Sequence, residues 1–192
     1  MEQPIQASEE SGSRARTRYA ILDSAVTVLA RNPRASLADV AAEARVGRTT
    51  VHRYFPERAD LVAALTRHVL EGIAAATRRA RLDQGPALGA LERLCQEYFA
   101  LGESLSLLFK DPQMWEGVEG WDAGSEGEGE LVRLVERGHR DGSIDSELDA
   151  RWVQQILWSL LYAAWQYAEE QGGPRYQVLR QCLRTLTKAV GA

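Results

Sequence analysis

Residues 36–55 read SLADVAAEARVGRTTVHRYF, and their spacing predicts two short helices joined by a tight turn. Ser36 is a good N-cap, with Asp39 three residues on as a weak capping-box partner. Leu37, Val40, Ala41 and Ala44 then form the buried stripe of the first helix. Arg45-Val46-Gly47 make the turn, and a second helix runs from Arg48 to Tyr54 or Phe55. Pro56 closes it, since the residue before a proline disfavours helix. Such a pair is a helix-turn-helix unit, in which the second helix enters the major groove of DNA. Val51 and Phe55, four residues apart, share the side that packs inward. Thr49, Thr50 and Arg53 point roughly the opposite way, flanked by Arg48, His52 and Tyr54. That outer face donates hydrogen bonds to phosphates and base edges and brings no carboxylate near a polyanion. The helix N-terminus adds free backbone N–H groups and a partial positive charge. The same stretch also fits an ordinary helical hairpin with a solvated polar face.

Helical signals continue on both sides. Thr17 to Arg31 places Ile21, Leu22, Ala25 and Leu29 on one face, and Asn32-Pro33 stops the helix. Residues 1–13 carry Ser, Glu and Gly with almost nothing to bury and are expected as a disordered tail. Beyond Pro56 a long helix is expected from about Arg58 to Arg81, with Leu61, Leu65, Val69 and Ile73 inward. Gly85-Pro86 marks a break, followed by helices over about 87–103 and 104–110, the latter ended by Asp111-Pro112. Residues 117–129 are acidic and rich in glycine, as expected of a mobile loop, either a lid or a plain connector. Further helices are expected over about 129–139, 147–171 and 175–190, the last with Tyr176, Leu179, Leu183, Leu186 and Val190 in one stripe. No strand pattern occurs, so the expected class is all-α with about nine helices. A tail over 1–13, a DNA-binding head over 14–60 and a helical body over 61–192 complete the layout.

Composition agrees with a globular chain. The sequence of 192 residues is 45% hydrophobic and 26% charged. It contains no apolar run long enough to span a membrane and no secretory signal at its start, so a cytoplasmic location is the default. The net charge of −4 is unevenly spread. Arg14 to Arg81 hold 13 Arg against six acids, whereas residues 82–192 hold 10 Lys or Arg against 18 acids. A basic head on an acidic body suits a protein that presents one end to a polyanion. Cys95 and Cys182 are the only cysteines, set in apolar helical surroundings without C-x-x-C spacing. They read as buried packing residues rather than a zinc site or a disulfide framework.

Ile21 to Leu65 resembles the DNA-binding domain of the tetracycline-repressor-like (TetR) family of regulators. The resemblance rests on Ile21-Leu22 with Ala25, on Ser36-Leu37-Ala38-Asp39-Val40-Ala41, on Val46 to Phe55, and on Phe55-Pro56-Glu57-Arg58-Ala59-Asp60-Leu61 at the entry to the fourth helix. It implies base or groove contacts from Arg48, Thr49, Thr50 and Arg53, and phosphate contacts from Ser36, His52, Tyr54 and Arg58. Arg14, Arg16 and Arg18, which precede the first helical stripe, either reach the DNA backbone and minor groove or form a solvated basic linker. Two positions depart from the family pattern in the turn and at its exit: Arg45 and Thr49 stand where the family usually has Gly or a small residue. His52 replaces the family's frequent Tyr.

The resemblance also implies a small-molecule effector pocket in the body and a homodimer through the two C-terminal helices. Tyr98, Phe99, Leu108, Phe109, Met114, Trp115, Trp121, Trp158, Tyr162 and Trp165 supply apolar and aromatic walls for a hydrophobic or aromatic effector, with Gln154 and Gln155 as polar groups. Aromatic residues at helical spacing serve equally as core. Pairing of the last two helices across a two-fold axis would set two reading heads about 34–36 Å apart, one turn of DNA. The expected function is a sequence-specific regulator, a repressor released from double-stranded palindromic operator DNA by its effector. A helical carrier or interaction module with a vestigial head is the alternative. His52, His68 and His139 sit in no recognisable catalytic or metal motif, so an enzyme, a metal site or a cofactor is not expected.

Overall fold

The computed structural model describes residues 4–110, 126–172 and 174–192. The elements in chain order are α1 (Pro4–Arg31), α2 (Leu37–Glu43), α3 (Arg48–Tyr54), α4 (Arg58–Ala80), α5 (Ala87–Leu101), α6 (Glu103–Lys110), α7 (Glu126–Asp141), α8 (Ala150–Gln171) and α9 (Arg175–Val190). Among the described residues the only extended pairing is an isolated bridge between Ile144 and Gly191. The class is all-α.

Two boundaries differ from expectation. Residues 4–13, expected as a disordered tail, continue α1. Pro4 stands at the first helical position, where its missing N–H costs nothing, and no proline follows before Arg31. Gln6, Ala7, Glu9, Glu10 and Arg14 are strong helix formers. Little to bury limits packing, not the backbone hydrogen bonds of a helix that propagates from a packed stretch. The acidic glycine-rich stretch 117–129 is the second case: α7 begins at Glu126, and residues 111–125 lie outside the described residues.

Two apolar clusters hold the chain together. The first joins Ile21, Leu22, Ala25 and Leu29 of α1 to Val40 and Ala41 of α2, to Val51 and Phe55 at α3, and to Leu61, Leu65 and Val69 of α4. The second contains Ala76 and Ala80 of α4 with Leu91, Leu94, Leu134, Val135, Val153, Leu157, Leu161, Cys182 and Leu186. Helix α4 therefore runs from one core into the other, and Ile73 packs against both. Helix α6 is the second link, because its Leu107 is buried in the first cluster and its Leu105 in the second. Beside it the Thr27 hydroxyl donates to Glu103 Oε2 at 2.7 Å, and Arg31 lies 3.8 Å from the other oxygen. Fully burying one such Leu is worth about 1.5–3 kcal/mol, so the shared residues tie the two cores strongly.

The connections are held by arginines and caps. The Arg93 guanidinium donates to the carbonyls of Ala80, Arg81 and Gln84, and that of Arg137 to those of Leu82, Asp83 and Gly85. Together they bind the last carbonyl of α4 and those of the loop that follows it. Asp141 accepts from the Ala87 N–H at 3.0 Å, and Ser143 Oγ from the Leu88 N–H at 3.1 Å, so the end of α7 caps the start of α5. Gly138 permits this corner: a Cβ there would sit 2.6 Å from Ile144 side-chain atoms. On α9 the inward face is Val178, Cys182, Leu186 and Val190, while Tyr176, at the start of the expected stripe, is exposed.

Candidate nucleic-acid interface

Local signals build the helix-turn-helix. Ser36 Oγ accepts from the Asp39 N–H at 3.3 Å, and Asp39 Oδ2 accepts from the Ser36 N–H at 2.7 Å and from its hydroxyl at 2.8 Å. These bonds, the backbone one foremost, hold the Asp39 carboxyl below its ordinary range, with Arg48 adding a weaker pull. The turn contains Arg45 at φ 54°, a left-handed conformation that normally favours glycine. The departure from the family's glycine thus keeps the geometry and carries the strain, and the Val46 N–H still reaches the Ala41 carbonyl at 3.0 Å. Gly47 then caps α3 in extended conformation.

Helix α3 is fastened by one side only. Val51 is fully buried and Phe55 is 2% exposed. Arg48, Thr49, His52 and Arg53 are exposed, while Thr50 and Tyr54 are half-buried. The Arg53 guanidinium lies 5.4 Å from the centre of the Tyr54 ring, within cation–π reach. His52 Nδ1 stands 3.4 Å from the Pro56 carbonyl. The outer face of α3 therefore offers two guanidinium groups, three hydroxyls (Thr49, Thr50 and the half-buried Tyr54) and an imidazole, and no carboxylate.

Three other residues expected at DNA have partners within the fold. Arg58 donates to the Pro33 carbonyl at 2.5 Å and to the Ala35 carbonyl, pinning the start of α4 to the α1–α2 turn. The Arg18 guanidinium lies over the Phe55 ring at 5.5 Å. Ser36 turns both its N–H and its hydroxyl to Asp39. The Ser36–Asp39 pairing follows the capping box read from the sequence, whereas the partners of Arg58 and Arg18 were missed because they are remote in the chain and depend on how the helices cross.

The aromatic residues expected around an effector separate into three groups. Tyr98 and Phe99 are buried on α5, facing α8. The Tyr98 ring stacks on Trp158 with centroids 5.1 Å apart and planes 10° apart, and Phe99 stacks on Trp165 at 6.4 Å. Burial pushes the Tyr98 phenol up, opposed by its hydrogen bond with Thr77. Leu108 is half-buried between the two cores. Gln155 and Tyr162 are exposed on α8, where Tyr162 accepts from Gln166 at 2.8 Å. Trp115 and Trp121 lie outside the described residues, as does the side chain of Phe109. A separate open cleft of about 410 Å³ lies between α1 and the α5–α6 corner, lined by Asp23, Val26, Gly102, Glu103 and Arg175 among others. None of the expected effector residues lines it.

The remaining histidines have partners within the fold. His68 Nε2 lies 2.9 Å from Asp23 Oδ1 with the Tyr19 ring beside it, and His139 Nε2 lies 3.0 Å from the Leu148 carbonyl. No described helix is long and apolar enough to cross a membrane.

Residues 21–65 match the sequence profile of bacterial regulatory proteins of the tetR family. The chain is 39% identical over 186 residues to the HTH-type transcriptional repressor LfrR of Mycolicibacterium smegmatis, covering 95% of each protein. It also resembles the crystal structure of LfrR from Mycobacterium smegmatis in complex with proflavine, with a TM-score of 0.71, 37% identity, and 90% of this chain and 95% of that one covered. The ketosteroid transcriptional regulator KstR2 of Mycobacterium tuberculosis shares the fold at a TM-score of 0.75 and 18% identity, with 91% and 95% covered.

Proposed function

The chain belongs to the tetR family of bacterial regulatory proteins, and on that basis we propose that it is a repressor released from a palindromic operator by a small planar aromatic effector. The observation that carries the DNA part is the one-sided fastening of α3. Its buried side, Val51 with Phe55 beyond, anchors it, and its exposed side carries Arg48, Thr49, His52 and Arg53 without an acid. Arg48, Thr49, Thr50 and Arg53 read base edges, and His52 and Tyr54 meet phosphates. Arg58 and Arg18 have guanidinium N–H groups beyond those used inside the head, and these reach the backbone phosphates. A Ser36 contact requires its hydroxyl to turn from Asp39. Residues 14–60 form the reading head and 61–192 the sensing and pairing body, the two joined through α4 and α6.

For the effector, the relative's complex with proflavine supports a flat aromatic molecule. The stacked Tyr98–Trp158 pair is a wall suited to such a ring. For pairing, Trp152, Tyr162, Tyr167 and Tyr176 are exposed on α8 and α9. Large apolar side chains left exposed along the last two helices suit an interface, and a second copy related by a two-fold axis covers them. The protein acts on chromosomal DNA in the cytoplasm.

The test is a gel-shift titration on DNA upstream of the protein's own gene, with nonspecific competitor and two salt concentrations. A discrete complex that survives competitor and weakens steeply with salt supports the repressor reading. Its loss on adding proflavine supports the effector class. Failure to bind any DNA at low salt would favour the carrier with a vestigial head.

A further inference from the structure

Cys95 on α5 and Cys182 on α9 are 87 positions apart in the chain, yet their sulfurs lie 3.7 Å apart and both are free thiols. The two are not equivalent. Cys95 is fully buried and Cys182 is 5% exposed, so a water-sized molecule meets Cys182 first. Their mutual contact, with burial, pushes the Cys95 thiol up and holds the Cys182 thiol below its ordinary range. The more accessible sulfur, Cys182, is the one an oxidant reaches first.

Helix α5 lies between α4 and α9. Around Cys95 it carries polar links to α4 on both sides: Arg93 donates to the Ala80 carbonyl at 2.9 Å, Glu97 accepts from Arg79 at 2.7 Å, and Tyr98 meets Thr77 at 2.8 Å. A disulfide needs its sulfurs about 2.0 Å apart, so closing the pair draws α5 and α9 together by part of the present 3.7 Å. The bond would therefore bear on α5, which also packs against α4, the helix leading from the reading head.

We propose that Cys95 and Cys182 form an oxidation-sensitive pair that hydrogen peroxide converts to a disulfide, and that this bond weakens operator binding. The Cys182 thiolate attacks the peroxide oxygen, breaking the O–O bond and releasing hydroxide to leave a sulfenic acid. The Cys95 sulfur then attacks the Cys182 sulfur and expels the sulfenic oxygen as water. Two thiols are oxidised and one peroxide is reduced to two waters. The DNA half of the inference rests on the repressor reading above.

The experiment treats the reduced full-length protein with graded hydrogen peroxide and follows intact mass, peptide mapping and operator affinity in parallel. The expected result is loss of two hydrogens, a mapped Cys95–Cys182 cross-link, and affinity reduced about tenfold and restored by dithiothreitol. Cys95→Ser and Cys182→Ser, checked for wild-type melting, are expected to bind DNA normally and lose the peroxide response. The wild-type cross-link map needs no variant, so a poorly folding substitution leaves the inference testable. Persistent thiols, or oxygen addition without a cross-link, overturn it, as does a cross-linked protein with unchanged affinity. Reduced protein that binds no DNA counts instead against the repressor reading, while the cross-link map still judges the pair.

Discussion

The hydroxyls of Thr77 on α4 and Tyr98 on α5 lie 2.8 Å apart in the protein interior. Thr77 spends its own proton on the Ile73 carbonyl at 3.0 Å, which leaves Tyr98 as the donor between them. Its ring meanwhile faces Trp158 on α8. One side chain thus touches both the aromatic wall proposed for the effector and the helix that ends in the DNA-reading head.

The two halves of this bond differ in what their removal leaves behind. Tyr98→Phe leaves Thr77 bonded to Ile73 and is expected to cost about 0.5–1.5 kcal/mol. Thr77→Val strands a buried phenol and is expected to cost about 1–3 kcal/mol. Urea titrations of both variants decide the order. A larger cost for Tyr98→Phe would show that the phenol bonds elsewhere.

Phe55 is 2% exposed and packs with Val51, Leu61 and Leu65 in the head core. Phe55→Ala is expected to lose about 3–5 kcal/mol, from transfer and from the cavity left behind. Melting monitored by circular dichroism checks this, and a wild-type midpoint would contradict the packing described for α3.

Arg53→Ala is expected to weaken binding to the cognate operator by about 1–3 kcal/mol while leaving nonspecific DNA affinity nearly intact. Arg53 is exposed and its contact within the fold is to the neighbouring Tyr54 ring, so melting should barely change. Competition between cognate and scrambled sites reads the effect. Equal losses on both would reassign Arg53 to phosphate contact.

Asp141 is held below the usual carboxylate range by the Ser143 side chain first and by the Ala87 N–H next. A lowered folded pKa means that the charged group stabilises fully above the ordinary Asp value of about 3.9. That contribution disappears as pH falls through the lower folded value. Asp141→Ala should therefore melt below wild type at pH 7, and the gap should close in stronger acid. A gap constant down to pH 2 would show that the carboxylate's charge contributes nothing.

Much of the reading head was legible because its signals act over a few residues. Ser36 with Asp39, the turn before Gly47, and Pro56 are local instructions, and the four-residue spacing of Val51 and Phe55 states which side of α3 goes inward. All-α class followed from the same periodicity along the rest of the chain. The start of α1 differs for a related reason: sparse apolar content speaks of packing, whereas the backbone of residues 4–13 continues the helix.

Partners far apart in the chain were another matter. That Arg58 would bind the carbonyls of Pro33 and Ala35, that Leu107 would enter the head core, and that two cysteines would meet across α5 and α9 depends on where whole helices come to rest. Residue type and period say that a side chain is apolar or charged and which way it points from its own helix. Which neighbour it meets is set by the crossing of helices, and that follows from the packing of both cores at once.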